Sequence, residues 1–249
     1  MLLALDESDK NQRVQCIGVV AIPNQEIVKF EADFTELRFK NKFWQELKWQ
    51  YIRKGNNYDE RYRPFIDLFF KYHACFYVWS YIYPTQLQIN KYFDGNKAKI
   101  FHKYAYRIIS STRKKIAFSP KLTKPDLHIV YDKGSDGSES QIKLTKEYLQ
   151  NCRSVVPISF CGEADSKVLG LLQITDILTG CASAEENDNF VNDERKRLYD
   201  YVMAKSSITN IFTNQPVLPF GSLKIDGFKV LHDIKDGGSD DNIIGLSDL

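Results

Sequence analysis

The chain has 249 residues, 43% of them hydrophobic and 13% aromatic, with a formal net charge of +2. That length and apolar content suit one large domain with insertions, and 27% well-mixed charged residues exclude a chain disordered along most of its length. So small a net charge does not by itself announce a nucleic-acid binder, and the distribution of charge carries more information than its sum.

In chain order, "MLLALD" reads as a short, fully buried strand that runs into Asp6 and Glu7. "RVQCIGVVAI" and "QEIVKFEADF" predict two further strands with tight turns. A helix is expected before and through part of the aromatic stretch "DFTELRFKNKFWQELKWQYI". Next, "DERYRPFIDLFFKYH" has Phe65, Leu68, Phe69 and Tyr72 at helical spacing, with Pro64 near its start. "ACFYVWSYIY" is aromatic and β-branched, hence a strand. "KAKIFHKYAYRIISSTRKK" predicts a long helix, "DLHIVYD" a buried strand ending at Asp132, "SQIKLTKEYLQN" a helix and "SVVPISFCG" an extended segment. "DSKVLGLLQITDILTGCAS" predicts a strongly apolar helix with Asp165 or Ser166 as N-cap, and "NDERKRLYDYVMAK" another helix. Strands followed by alternating strands and helices imply an α/β fold. The order is that of a ribonuclease H-like mixed sheet flanked by helices, with helical insertions. We assign residues 1–235 to one such domain and 236–249 to a flexible acidic C-terminal tail.

The cysteines Cys16, Cys75, Cys152, Cys161 and Cys181 are scattered, odd in number and without a C-x-x-C pair. Reduced core thiols in a cytoplasmic protein are expected. The four histidines stand apart from one another, which argues against zinc. No apolar run is long enough to span a bilayer, and "MLLAL" is too short for a secretory leader, so no membrane association is expected.

The carboxylates need a reason. A lone acid at a strand end can sit half in water at little cost, but both "LLALD" and "HIVYD" end in one. If the two strands are neighbours, Asp6 and Asp132 bring like charges together, and a divalent cation would relieve the repulsion. Hard oxygen ligands select Mg²⁺ or Mn²⁺. Asp176 lies within an almost wholly apolar helix, on one face with Gln173 and Gly180. A buried carboxylate there must be paired, neutral or metal-bound. Gly170 and Gly180 would let that helix approach a neighbour closely. Glu46, between Trp44 and Trp49, is on its own as readily a solvated residue as a ligand. Lys48 either touches a phosphate or passes its stem along Trp49.

From Lys97 to Lys124 there are nine Lys or Arg and no acid, with Lys99, Lys103 and Arg107 recurring every four residues. Such a run is a solvated face or a track for a phosphate backbone. Cys161 has acids nearby and no base to activate its thiol, and the histidines lack triad-like company.

Four motifs in this order, "DES" after the first strand, "ELK", "VYDK" and "GLLQITDILTG", resemble the family catalogued as domain of unknown function 3800, of the ribonuclease H-like superfamily. The likeness runs from Asp6 to about Cys181. Asp9 stands where that family has glycine, and Thr175 where it has alanine. The resemblance implies a divalent-metal-dependent nuclease acting on DNA or RNA through Asp6, Glu46, Asp132 and Asp176, with Glu7 as a further ligand. It implies Mg²⁺ or Mn²⁺ as cofactor, with Lys48 and Gln173 towards the substrate; the basic run adds Lys99, Lys103 and Arg107 as expected contacts to a nucleic-acid backbone. A non-catalytic nucleic-acid- or protein-binding module on the same scaffold, part of a defence or mobile-element system, is the alternative; on either reading a homo-oligomer or a partner protein is a further expectation.

Overall fold

The computed structural model describes residues 1–8, 15–72, 75–82, 105–106, 108–110, 112–113, 126–133, 142–143, 146–147, 156–206 and 225–229. Its regular elements are β1 (Leu2–Ser8), β2 (Gln15–Ile22), α1 (Asn24–Lys40), a short 3-10 helix (Trp49–Tyr51), α2 (Tyr58–Lys71), β3 (Phe76–Ile82), β4 (Leu127–Asp132), β5 (Ile158–Ala164), α3 (Gly170–Glu186), α4 (Asp193–Ser206) and β6 (Ile225–Lys229). The strands form one sheet in the order β5-β4-β1-β2-β3-β6. β1, β2 and β3 run antiparallel to their neighbours in turn, while β4 pairs parallel to β1, β5 parallel to β4 and β6 parallel to β3. Three antiparallel strands extended by two parallel ones on the β1 side make the expected ribonuclease H-like mixed sheet.

The pleat sorts the residues of β1 strictly. Leu2 and Ala4 join the larger apolar core, together with Cys16, Val20 and Ile22 of β2, Val130 of β4 and residues of α1, α2, α3 and α4. Leu3 and Leu5 join a smaller core on the opposite face, with Ile17, Val19, Ile129 and Tyr131, where Ala105, Ile108, Ile109, Ile142 and Val156 cover the sheet. Burial on both faces explains why β1 and β4 are apolar runs without alternation.

One expected strand is a helix. "QEIVKFEADF" lies inside α1, and the third antiparallel strand is "FYVWSYI", later in the chain. Spacing decides the matter. Phe30 and Phe34 are buried, with Ile27 and Leu37 packed beside them, so the apolar positions recur at three and four residues, not two. Pro64 falls in the second turn of α2, not at its start, and the helix carries it with the exposed Glu60 four residues before.

The N-terminus of α3 also differs from expectation. Neither Asp165 nor Ser166 caps it; the Glu31 carboxylate of α1 accepts the Gly170 and Leu171 N–H groups at 2.8 and 3.0 Å. Asp165 instead accepts the Lys167 N–H and closes the turn before the helix. As its composition predicts, α3 is buried along nearly its whole length. Cys16, Cys75 and Cys181 are buried free thiols and Cys161 is a half-buried one. Cys152 and the tail 236–249 lie outside the described residues. Among the described residues no helix is long and apolar enough to cross a membrane.

Candidate functional site

Asp6 and Asp132 are brought together by strand pairing. Leu5 stands opposite Tyr131 in the parallel β1–β4 ladder, and each acid is the next residue along its strand. Both fall on the face of the sheet that α3 covers, by the same alternation that puts Ala4 and Val130 there. Both are buried, at 7% and 8% exposure.

Asp176 reaches them because α3 lies unusually close to the sheet. Gly18 of β2 is the residue opposite Asp6. A Cβ on Gly18 would meet Thr179 Oγ1 at 2.0 Å and the Tyr77 hydroxyl at 2.6 Å, so only glycine leaves room for the helix. Over it, the Tyr77 hydroxyl donates to Thr179 Oγ1 at 3.1 Å. One turn of α3 back from Gly180, Asp176 and Asp6 share a side-chain hydrogen bond.

Glu46 and Lys48 come from the irregular segment between α1 and the 3-10 helix. Its extended backbone at Lys48 turns Leu47 and Trp49 into the core and Glu46 and Lys48 to the other side. Three successive amides of this segment donate to side chains and not to backbone carbonyls. Leu47 N–H goes to Gln173 Oε1 at 2.8 Å, Lys48 N–H to the Tyr62 hydroxyl at 3.2 Å, and Trp49 N–H to Asp176 Oδ1 at 2.6 Å. Trp49 itself sits on Gly180, where a Cβ would come within 2.2 Å of its ring. Gly170 likewise admits Phe34. Both helix glycines thus serve the close approaches expected of them.

The Lys48 ammonium stands among the acids, 3.1 Å from Asp132 Oδ2 and 3.4 Å from Glu46 Oε1. Ser166 completes the ring: its hydroxyl donates to Glu46 Oε1 and its N–H to Asp132 Oδ1 at 3.3 Å. Ser166 was expected as a helix cap, and its place beside two carboxylates has no sequence signal beyond its position before α3. Gln173 is buried at 1% exposure. Its Oε1 also accepts from Arg38 Nη2 at 2.6 Å, and its Nε2 donates to the Ser166 carbonyl at 2.6 Å. The amide therefore ties the Glu46 segment and the Ser166 turn together and does not face outward. Glu7 follows Asp6 in β1, so the pleat turns it towards the opposite face of the sheet, away from α3; its N–H donates to Asp6 Oδ1 at 2.8 Å. Lys99, Lys103 and Arg107 lie outside the described residues.

The electrostatics follow from this geometry. Burial pushes the Asp6 carboxyl well above the usual range, and the charges of Asp176, Glu7 and Asp132 push it further. Burial also raises Asp176, to about 6, against the opposing pull of the Trp49 N–H, Lys48 and the hydrogen bond from Asp6. Both carboxyls of this pair are therefore held above the ordinary aspartate range. Burial works to lower Lys48, but Asp132, Asp176 and Glu46 outweigh it and hold the ammonium above its ordinary range.

Among the described residues, no three carboxylate, imidazole or thiol side chains are arranged as a ready metal shell. The donor chemistry still suits a hard divalent cation: the side chains offer oxygen only, and they crowd closely enough to push the Asp6 carboxyl up.

No protein-family model matches the chain, and no curated protein matches its sequence. Among solved structures, the chain is similar to one described as the complex of PCNA with ribonuclease HII from Archaeoglobus fulgidus. The identity is 12% over 88% of this chain and 98% of that one, with a TM-score of 0.43. So slight a likeness transfers no residue role.

Proposed function

We propose that the chain is a divalent-metal-dependent nuclease that hydrolyses phosphodiester bonds of DNA or RNA, as its resemblance to the domain of unknown function 3800 family implies. One observation carries the reading: acids from β1, β4, α3 and the Glu46 segment gather on one face of the sheet, crowded enough to raise the Asp6 carboxyl. Asp6, Asp132 and Asp176, with Glu46, would hold Mg²⁺ or Mn²⁺, which when bound lowers the pKa of a water and offsets charge on the phosphate. Lys48 is within reach of any anion brought to Asp132, and Ser166 fixes the Glu46 carboxylate.

The second reading, a non-catalytic module on the same scaffold, is favoured by a different observation. Lys48 already neutralises Asp132 and Glu46 where an ion would do so, and no ready metal shell is formed among the described residues. Nuclease assays on labelled single- and double-stranded DNA and RNA, with Mn²⁺ or with chelator, separate the two. We expect cleavage that needs Mn²⁺ and falls about 100-fold or more in Asp6→Asn. Cleavage that survives both chelator and Asp6→Asn would remove these acids from the chemistry. Nucleic-acid binding with no cleavage and no Mn²⁺ uptake by calorimetry would establish the second reading.

A further inference from the structure

Val28, Val168 and Val191 are exposed aliphatic residues of a kind common on protein surfaces. Phe39 and Trp44 are different. They are 63% and 60% exposed, yet their rings meet edge to face with centroids 4.7 Å apart and planes at 85°. Both flank the turn that ends α1. The Lys42 N–H donates to the Phe39 carbonyl at 3.2 Å and the Phe43 N–H to the Arg38 carbonyl at 2.9 Å, and Lys42 takes the left-handed backbone at φ 49°. Buried Phe43 anchors the turn from below, with Arg61 lying over its ring at 4.6 Å. The two exposed rings are thus held on a fixed backbone and do not hang from a loose loop.

The setting is basic. Between Glu36 and Glu46 the chain has Arg38, Lys40 and Lys42 and no acid, and Lys40 and Lys42 are exposed, as is Arg61. The acidic site begins two residues after Trp44, at Glu46, so the two Cα atoms lie within about 8 Å of one another. A rigid, exposed aromatic face rimmed by cations and adjoining a phosphate-directed site matches the chemistry of a single nucleic-acid strand. A flat base stacks on the indole, and the flanking phosphates meet the ammonium groups.

Resting on the nucleic-acid reading above, we infer that Trp44, backed by Phe39 and flanked by Lys40 and Lys42, is a stacking platform. It holds an unpaired base of a single strand beside the Asp6–Asp132–Asp176 site. The platform needs no metal and no cleavage, so it can be tested without either. The full-length protein in chelator, carrying Asp6→Asn, is titrated with fluorescently labelled oligo-dT and oligo-U, and anisotropy is read. Trp44→Ala is expected to weaken binding about 10-fold or more, and Trp44→Phe much less, because an aromatic face remains. Lys40→Glu with Lys42→Glu is expected to weaken binding and to flatten its dependence on salt. The DNA and RNA arms show which strand is held more tightly.

Failure of this inference and failure of the nuclease reading are distinguishable. If no cleavage is found but Trp44→Ala loses oligonucleotide binding, the platform stands and the chemistry does not. If cleavage is found while Trp44→Ala binds like its parent, the platform is overturned alone. It is equally overturned if Trp44→Ala keeps oligonucleotide binding but abolishes self-association in sedimentation, since the pair would then be a contact between copies.

Discussion

At the scale of single residues, the site is governed by crowded, buried carboxylates and one ammonium. The Asp176 carboxyl lies at about 6 in the folded chain, against an ordinary 3.8, so between those pH values the folded protein binds protons that the unfolded chain has released. Stability therefore falls as pH rises through this window, the reverse of a salt-bridged aspartate. In chelator, urea midpoints should decline from about pH 4 to about pH 6. Asp176→Asn should flatten that decline and gain on the order of 1–3 kcal/mol at pH 7. Lys48 acts in the opposite sense. Lys48→Met leaves Asp132 and Glu46 without the cation that stands 3.1 and 3.4 Å away. We expect a loss of roughly 1–3 kcal/mol in chelator, below the cost of breaking a fully buried pair because these side chains are partly exposed, and a recovery on adding Mn²⁺. An equal loss with and without Mn²⁺, read from the same urea curves, would show that no ion replaces the ammonium.

At the scale of elements, the acids meet because helices and strands pack at glycine. Gly180 admits Trp49, and through Trp49 the amide that Asp176 accepts. Gly180→Ala forces a methyl group into the indole, so a cost of about 1–3 kcal/mol is expected. Because the same shift pulls on Asp176, Mn²⁺ affinity should fall with it; a stable variant with unchanged affinity would separate the packing from the site. The sequence showed this helix well. Its buried acid, its glycines and its near-total burial could all be read from "GLLQITDILTG". It showed α1 poorly, because Glu26, Lys29, Glu31 and Asp33 interrupt the apolar positions often enough to imitate the two-residue alternation of a strand. Only the three-residue steps from Ile27 to Phe30 and from Phe34 to Leu37 tell the periods apart. The Glu31 cap on α3 was beyond reach for a different reason: it joins residues about 140 positions apart, and no local pattern encodes such a contact.

At the scale of the molecule, one sheet carries two cores, and Asp6, Asp132, Asp176 and Glu46 gather on one of its faces. That partition follows from period two. It placed Asp6 and Asp132 on the α3 side and sent Glu7 to the other, a distinction that the adjacent letters "DE" conceal. Two of the site's walls, β1 and β4, were legible as apolar runs ending in acid, because strand ends are marked by composition. The third wall, the Glu46–Lys48 segment, has neither helical nor strand period. Its place in the site depends on Gln173, Tyr62 and Asp176 reaching it from α3 and α2. The basic run from Lys97 to Lys124 remains a matter of sequence alone, since Lys99, Lys103 and Arg107 lie outside the described residues.

Those three side-chain acceptors have a consequence for how the protein opens. A segment pinned by neighbouring side chains, with no ladder of its own, can detach as a unit while the sheet stays intact. Deuterium should enter the Leu47, Lys48 and Trp49 amides sooner than those of β1, and Gln173→Ala should speed Leu47 most. If these amides exchange only as fast as the strand core, the segment is welded to the fold, and Glu46 and Lys48 never leave their places.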